Sequence, residues 1–159
     1  MGEVYKLEEL KSQRKIWREK KEIVVFTNGV FDILHRGHVE YLNAARNFGV
    51  HLIVGINSDE SVRQIKGPLR PINCEDDRAF LISQLKCVDA VAIFNETTPQ
   101  NLISALLPDV LIKGGDWKLE EIIGKKEVEA SGGKVCTIDF VPEKSTTSVI
   151  EKIIERFSK

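Results

Sequence analysis

The sequence has no apolar run approaching the roughly 20 residues that a membrane-spanning helix needs. Its first ten residues, MGEVYKLEEL, are charged from the third position, so no secretory leader is expected and the expected location is cytoplasmic. An excess of either charge is also lacking: 23 Lys and Arg stand against 24 Asp and Glu, a formal net charge of −1. Without a global basic field, neither nucleic acid nor a membrane surface is an expected partner. Cys74, Cys87 and Cys136 are widely spaced and contain no C-x-x-C pair, which argues against a disulfide framework or a zinc site. Cys87 and Cys136 read as small core hydrophobes and Cys74 as a loop thiol. No Gly-x-Ser-x-Gly elbow occurs and no cysteine neighbours a histidine, which excludes hydrolase triads. Lys113-Gly114-Gly115 lacks the preceding glycine frame of a P-loop. There is no internal repeat and no low-complexity linker.

What remains is 159 residues with 42% apolar and 30% charged content, enough for one domain with a real core. Histidine is scarce, yet two of the three lie in one stretch, Thr27-Asn28-Gly29-Val30-Phe31-Asp32-Ile33-Leu34-His35-Arg36-Gly37-His38. A short apolar run, 23–26, precedes it and reads as a buried strand. Val39, Leu42, Ala45 and Phe48 follow at helical period, stopped by Gly49. The two histidines therefore sit where a strand turns into a helix. Helix N-termini present free N–H groups and a positive dipole end, which suits phosphate. Gly29 allows close backbone approach, and Gly37 removes bulk between the imidazoles.

Elsewhere strands and helices alternate. Residues 6–21 carry Leu7, Leu10, Arg14 and Trp17 on one helical stripe, so 1–21 is expected to form an amphipathic helix packed on a domain comprising 22–159. Strands are expected at 52–57, 90–94, 110–113 and 135–140. Helices are expected at 60–65, capped by Ser58-Asp59, and at 76–85, with Ala79, Phe80, Ile82 and Leu85 inward. Others should run from Thr98-Pro99 to 107, over 120–130, and over 148–157 behind a Ser145-Thr146-Thr147 cap. Residues 66–71, with a glycine and two prolines, must be a loop. This pattern predicts an α/β fold: a single Rossmann-like domain with a five-stranded parallel sheet and helices on both faces.

In such sheets ligands bind beyond the carboxyl ends of strands, where the strand order reverses. Four polar elements belong at such ends: the turn with His35 and His38, Asn57-Ser58-Asp59, Lys113-Gly114-Gly115-Asp116, and the loop before Ser145. Two imidazoles, glycine backbone, Lys66, Arg70 and a Ser/Thr cap are groups that bind phosphate oxygens.

The stretch from Gly29 through His38 resembles the HxGH signature of the nucleotidyltransferase superfamily. Phe26-Thr27-Asn28-Gly29, Asn57-Ser58-Asp59, Lys113-Gly114-Gly115-Asp116 and Ser145-Thr146-Thr147 extend the likeness to the heptose 1-phosphate adenylyltransferases. Those enzymes occur alone or as half of a bifunctional heptose kinase/adenylyltransferase, and the resemblance runs from about residue 22 to the end. It implies attack by a sugar 1-phosphate oxygen on the α-phosphorus of ATP, releasing pyrophosphate and giving ADP-heptose for lipopolysaccharide core synthesis. A separate heptose kinase would supply the acceptor. Mg²⁺ is implied, carried by the triphosphate, with no protein ligands.

The resemblance also implies roles. His35 and His38 line the triphosphate, and Lys66 sits on a loop that closes over it. Thr27, Asn28, Gly29, Phe31, Gly37 and Lys113 belong to the nucleotide site; Gly114 and Asp116 meet base or ribose, and Trp117 either stacks there or packs at the core edge. Ser145, Thr146 and Thr147 meet the β- and γ-phosphates. Asp32, Asn57, Asp59, Arg70 and Arg78 form the acceptor side. Asp32 either orients the acceptor or metal or caps the turn, and Arg78 either points at phosphate or pairs locally with Glu75 or Asp76. Glycerol- and choline-phosphate cytidylyltransferases carry an Arg shortly before the Ser-Thr helix start. Residues 140–144 here hold none, which favours ATP over CTP and leaves Lys144 as the nearby cation. A cytidylyltransferase acting on glycerol 3-phosphate, or a non-catalytic nucleotide-binding module, are the alternatives. A homodimer is admitted but not required.

Overall fold

A computed structural model describes residues 2–115, 118–139 and 145–158. Within them the chain runs β1 (Glu3–Val4), α1 (Leu7–Glu19), β2 (Val24–Gly29), α2 (Arg36–Arg46), β3 (His51–Asn57), α3 (Asp59–Lys66), α4 (Glu75–Ser83) and β4 (Ala90–Phe94). It continues with α5 (Gln100–Leu106), β5 (Val110–Gly114), α6 (Lys125–Ala130), β6 (Lys134–Ile138) and α7 (Thr146–Phe157). All strand pairings are parallel, in the order β1-β4-β3-β2-β5-β6.

Alternate residues of the strands feed two apolar layers. Val25, Leu52, Val54, Val91 and Ile112 pack with Tyr41, Leu42 and Ala45 of α2 and with Ala79 and Ile82 of α4. Val24, Phe26, Ile53, Ala92 and Leu111 pack with Leu10 and Trp17 of α1, with Leu102, Ile103 and Leu106 of α5, and with Val128 of α6. Because both faces are covered, the strands are apolar without alternation, which is why the sequence pattern located them.

The sheet has six strands rather than the expected five. The extra strand, β1, is two exposed residues held by backbone bonds, Glu3 N–H to Asp89 O and Tyr5 N–H to Val91 O, so hydrophobic patterning could not find it. On α1, Leu10, Arg14 and Trp17 are buried, whereas Leu7 is exposed. Arg14 donates to the carbonyls of Leu106 and Leu107, at 3.3 and 3.0 Å, and to Asp109, at 3.0 Å, capping the end of α5 with a cation.

Three further expectations need correction. The 120–130 segment is a 3₁₀ turn, Leu119–Glu121, followed by α6, with Gly124 at φ 85° between them. A side chain at Gly124 would come within 2.6 Å of Ile103, so close packing against α5 requires glycine there and breaks the helix. Helix α5 begins after Pro99, which takes the cap position. Phe80 is exposed, because the inward face of α4 is Arg78, Ala79, Ile82 and Ser83, and residue 80 lies off that stripe.

Central β2 is the point where strand order reverses: β3 and β4 build outward on one side, β5 and β6 on the other. Strand β2 stays paired with β3 through Gly29 and Ile56, but with β5 only at Val25 and Phe26. The carboxyl halves of β2 and β5 therefore splay, and a crevice opens between them.

Candidate active site

The crevice is a cleft of about 500 Å³. From the β2–α2 connection come Asn28, Gly29, Phe31, Asp32, His35, Gly37 and His38. Asn57 enters from the end of β3, Lys66 from the end of α3, Arg70 from the following loop and Lys113 from β5. Ser145, Thr146 and Thr147 close it at the start of α7. Lys113 donates to the carboxamide oxygen of Asn28, bridging the two splayed strands. Gly114 lines a smaller recess of about 160 Å³ beside Asn28, Phe31, His38 and Lys113. Thr27, expected in the nucleotide site, is instead buried beneath it. Asp116, Trp117 and Lys144 lie outside the described residues.

Two helices aim their N-termini at this space. Neither α2 nor α7 carries an acidic residue in its first turn, whereas α1, α3 and α4 begin with Glu8 and Glu9, with Asp59 and Glu60, and with Glu75, Asp76 and Asp77. The dipoles that face the cleft are thus left available for an anion. Ser145 caps α7, its hydroxyl accepting from Ser148 N–H at 3.0 Å. The His35 and His38 rings stack at 3.7 Å between centroids, 19° from parallel. The Nδ1 of His38 is buried with no hydrogen-bond partner among the described residues. Burial, and then the neighbouring His35, push His38 down to about 4, so it is neutral at pH 7. Two cleft residues were given no role from the sequence: Val30, in the turn, and Tyr41, whose hydroxyl shares a 2.8 Å hydrogen bond with Thr27. For Tyr41, its position three residues after His38 on the same helix was the available signal.

A cytidylyltransferase-like family model matches residues 26–152, which include every residue that lines the cleft. The chain belongs to the cytidylyltransferase-like family. Bifunctional protein HldE of Trichlorobacter lovleyi is 55% identical over 141 residues, which is 89% of this chain and 29% of that protein. Bifunctional protein HldE of Cronobacter sakazakii is 54% identical over 136 residues, 86% of this chain and 29% of that protein. The chain therefore spans less than a third of these relatives. A crystal structure of the lipopolysaccharide core biosynthesis protein from Thermoplasma volcanium superposes with a TM-score of 0.62 at 32% identity, covering 77% of this chain and 99% of that one.

Behind the family turn lies a polar hub that the sequence assigned to the acceptor. Asp32 is 2% exposed. Its carboxylate accepts from Arg70 Nε at 2.6 Å, Ile72 N–H at 2.8 Å and Asn73 N–H at 2.9 Å. Burial alone would raise this carboxyl, but the N–H groups of Asn73 and Ile72, and then Arg70, outweigh it and hold Asp32 below its ordinary value. Arg78 is fully buried and does not line the cleft. Its guanidinium donates to Val30 O at 2.7 Å, Asn73 O at 3.0 Å and Asp59 Oδ1 at 2.8 Å. Its partner is thus Asp59, not Glu75 or Asp76, and both Arg78 and Asp59 are committed inside the protein rather than to an acceptor. Their bonds join the β2–α2 turn, the 70–73 loop and the start of α3.

Truncating Arg78 would leave three part-buried acceptors without their buried donor. Arg78→Ala is expected to lower stability by about 3–5 kcal/mol, the usual cost of breaking a buried ion pair from one side. Urea denaturation measures it. A loss below about 0.5 kcal/mol, typical of an uninvolved surface position, would contradict the hub.

Proposed function

We propose that this domain transfers AMP from ATP to heptose 1-phosphate, giving ADP-heptose and pyrophosphate. The observation that carries the reading is the meeting, in one cleft at the sheet's reversal point, of His35 and His38, Lys66 and the Ser145-Thr146-Thr147 start of α7. The heptose motifs quoted above, and likeness over most of this chain to bifunctional HldE proteins, support this acceptor class.

A phosphate monoester is largely dianionic at neutral pH, with a second pKa near 6, so the nucleophile needs no general base. The work left to the protein is to align two polyanions and to neutralise charge that grows at phosphorus. In this proposal His35 and His38 donate to triphosphate oxygens, a role suited to a neutral imidazole bearing one N–H. Lys66 approaches from the end of α3 as a mobile point charge, and α7 receives the β- and γ-phosphates at its free N–H groups. Arg70, held by Asp32 through Nε, keeps its terminal nitrogens for the acceptor phosphate. Mg²⁺ enters with ATP, on phosphate oxygens and water. The Asp32 carboxylate is held by Arg70, Ile72 and Asn73, so it is not assigned to the ion. No helix among the described residues is long and apolar enough to cross a membrane. A cytoplasmic setting, with a kinase activity making the sugar 1-phosphate, completes the proposal.

Pyrophosphate release with a panel of nucleoside triphosphates and acceptor phosphates tests it. ATP with heptose 1-phosphate should be turned over well and CTP poorly. Equal or better turnover of CTP with glycerol 3-phosphate would move the assignment to a cytidylyltransferase. For Lys66→Ala, turnover should fall while stability stays within about ±0.5 kcal/mol, as expected of an exposed position. Wild-type kinetics in that variant would remove Lys66 from the mechanism.

A further inference from the structure

Phe31 occupies a backbone conformation that a bulky side chain rarely takes, φ 49°, where glycine would sit without penalty. Its ring is 7% exposed and meets the His38 imidazole edge to face, 5.1 Å between centroids and 66° between planes. Against the same ring lies Gly29, where an added Cβ would come within 2.9 Å of Cε2. The missing side chain at Gly29 thus makes the slot into which the Phe31 ring fits. The turn keeps a phenylalanine in a conformation suited to glycine, and what that ring touches is an imidazole of the cleft.

We propose that Phe31 is the positioning residue for His38: its ring, packed against Gly29 and the imidazole, fixes the imidazole with Nδ1 turned into the protein and Nε2 toward the cleft. The proposal rests on the donor role given to His38 above. With Nδ1 buried and without a partner among the described residues, a proton there would be an orphaned donor, which proteins avoid more strictly than an unused acceptor. The single proton of the neutral ring therefore sits on Nε2, and Nε2–H is a donor. The opposite tautomer would present a bare Nε2, the form that a general base needs. The charged surroundings keep the ring uncharged. His35 stacks on His38, and Lys66, Arg70 and Lys113 share the cleft. Asp32, which would favour an imidazolium, is bound to Arg70, and the Tyr41 hydroxyl is neutral.

The test is long-range ¹H–¹⁵N NMR of ¹⁵N-histidine-labelled protein without nucleotide, in wild type, Phe31→Leu and Gly29→Ala, alongside steady-state kinetics. Wild-type His38 should be the Nε2–H tautomer and should titrate near about 4. In Phe31→Leu, which vacates the slot, and in Gly29→Ala, which displaces the ring, tautomers should mix and the midpoint should rise toward about 6.5. Turnover should fall by about 10–100-fold, with KM for ATP changing less, as expected when a donor is misplaced by about an ångström. Phe31→Met replaces either variant if it fails to fold. Unchanged tautomer and midpoint in the folded variants overturn the proposal. They do so even if turnover falls, since the loss would then report direct contact of Phe31 with the nucleotide. Because the spectra need no substrate, they read the ring independently of which triphosphate and acceptor the enzyme uses.

Discussion

The turn between β2 and α2 is held from behind by two buried charges, and the cleft depends on that grip. Arg78 takes the carbonyl of Val30, at the start of the turn, while Asp32, further along it, takes two backbone N–H groups and Arg70 from the 70–73 loop. Arg78 also holds Asp59, the first residue of the helix that ends in Lys66. The turn that carries both histidines, the loop that carries Arg70 and the helix that delivers Lys66 are thus fixed to one another by charge-assisted hydrogen bonds of about 2.6 to 3.0 Å. Removing one partner from such a buried network leaves the others unsatisfied, which gives it a single well-defined geometry.

On that frame the cleft gathers positive potential without crowding it with fixed charge. Two helix N-termini without acids in their first turns face it, with Lys66, Arg70 and Lys113 around its walls. His38 at its centre adds a donor rather than charge, since it is neutral at pH 7. Such a site suits a reaction whose nucleophile is already ionised, where alignment and preorganised donors dominate over proton removal.

Much of this was legible in the sequence, for reasons that also explain what was not. Doubly covered parallel strands are unbroken apolar runs, so five of the six strands stood out, while the two-residue β1 is made by backbone pairing alone. The HxGH turn and the Ser145-Thr146-Thr147 cap could be read because helix starts have local chemical signatures. Arg78 was misjudged because its partners are Val30 and Asp59, far along the chain, whereas sequence spacing suggests only neighbours such as Asp76. Asp32 is ambiguous for the same reason: its loop partners lie some 40 residues away. The break at Gly124 follows from a contact with Ile103 that no local pattern encodes.

The central claim is that His38 serves as a hydrogen-bond donor and not as a base. Single-turnover AMP transfer in His38→Ala and His38→Gln tests it most directly. The account predicts a loss of about 10²–10³-fold for alanine, the usual consequence of removing one preorganised donor. It predicts partial recovery with glutamine, whose amide N–H can donate but cannot take up a proton at neutral pH. A glutamine variant as inactive as alanine, with ATP still bound and wild-type turnover tracking deprotonation of one imidazole, would contradict the donor role and make His38 a base.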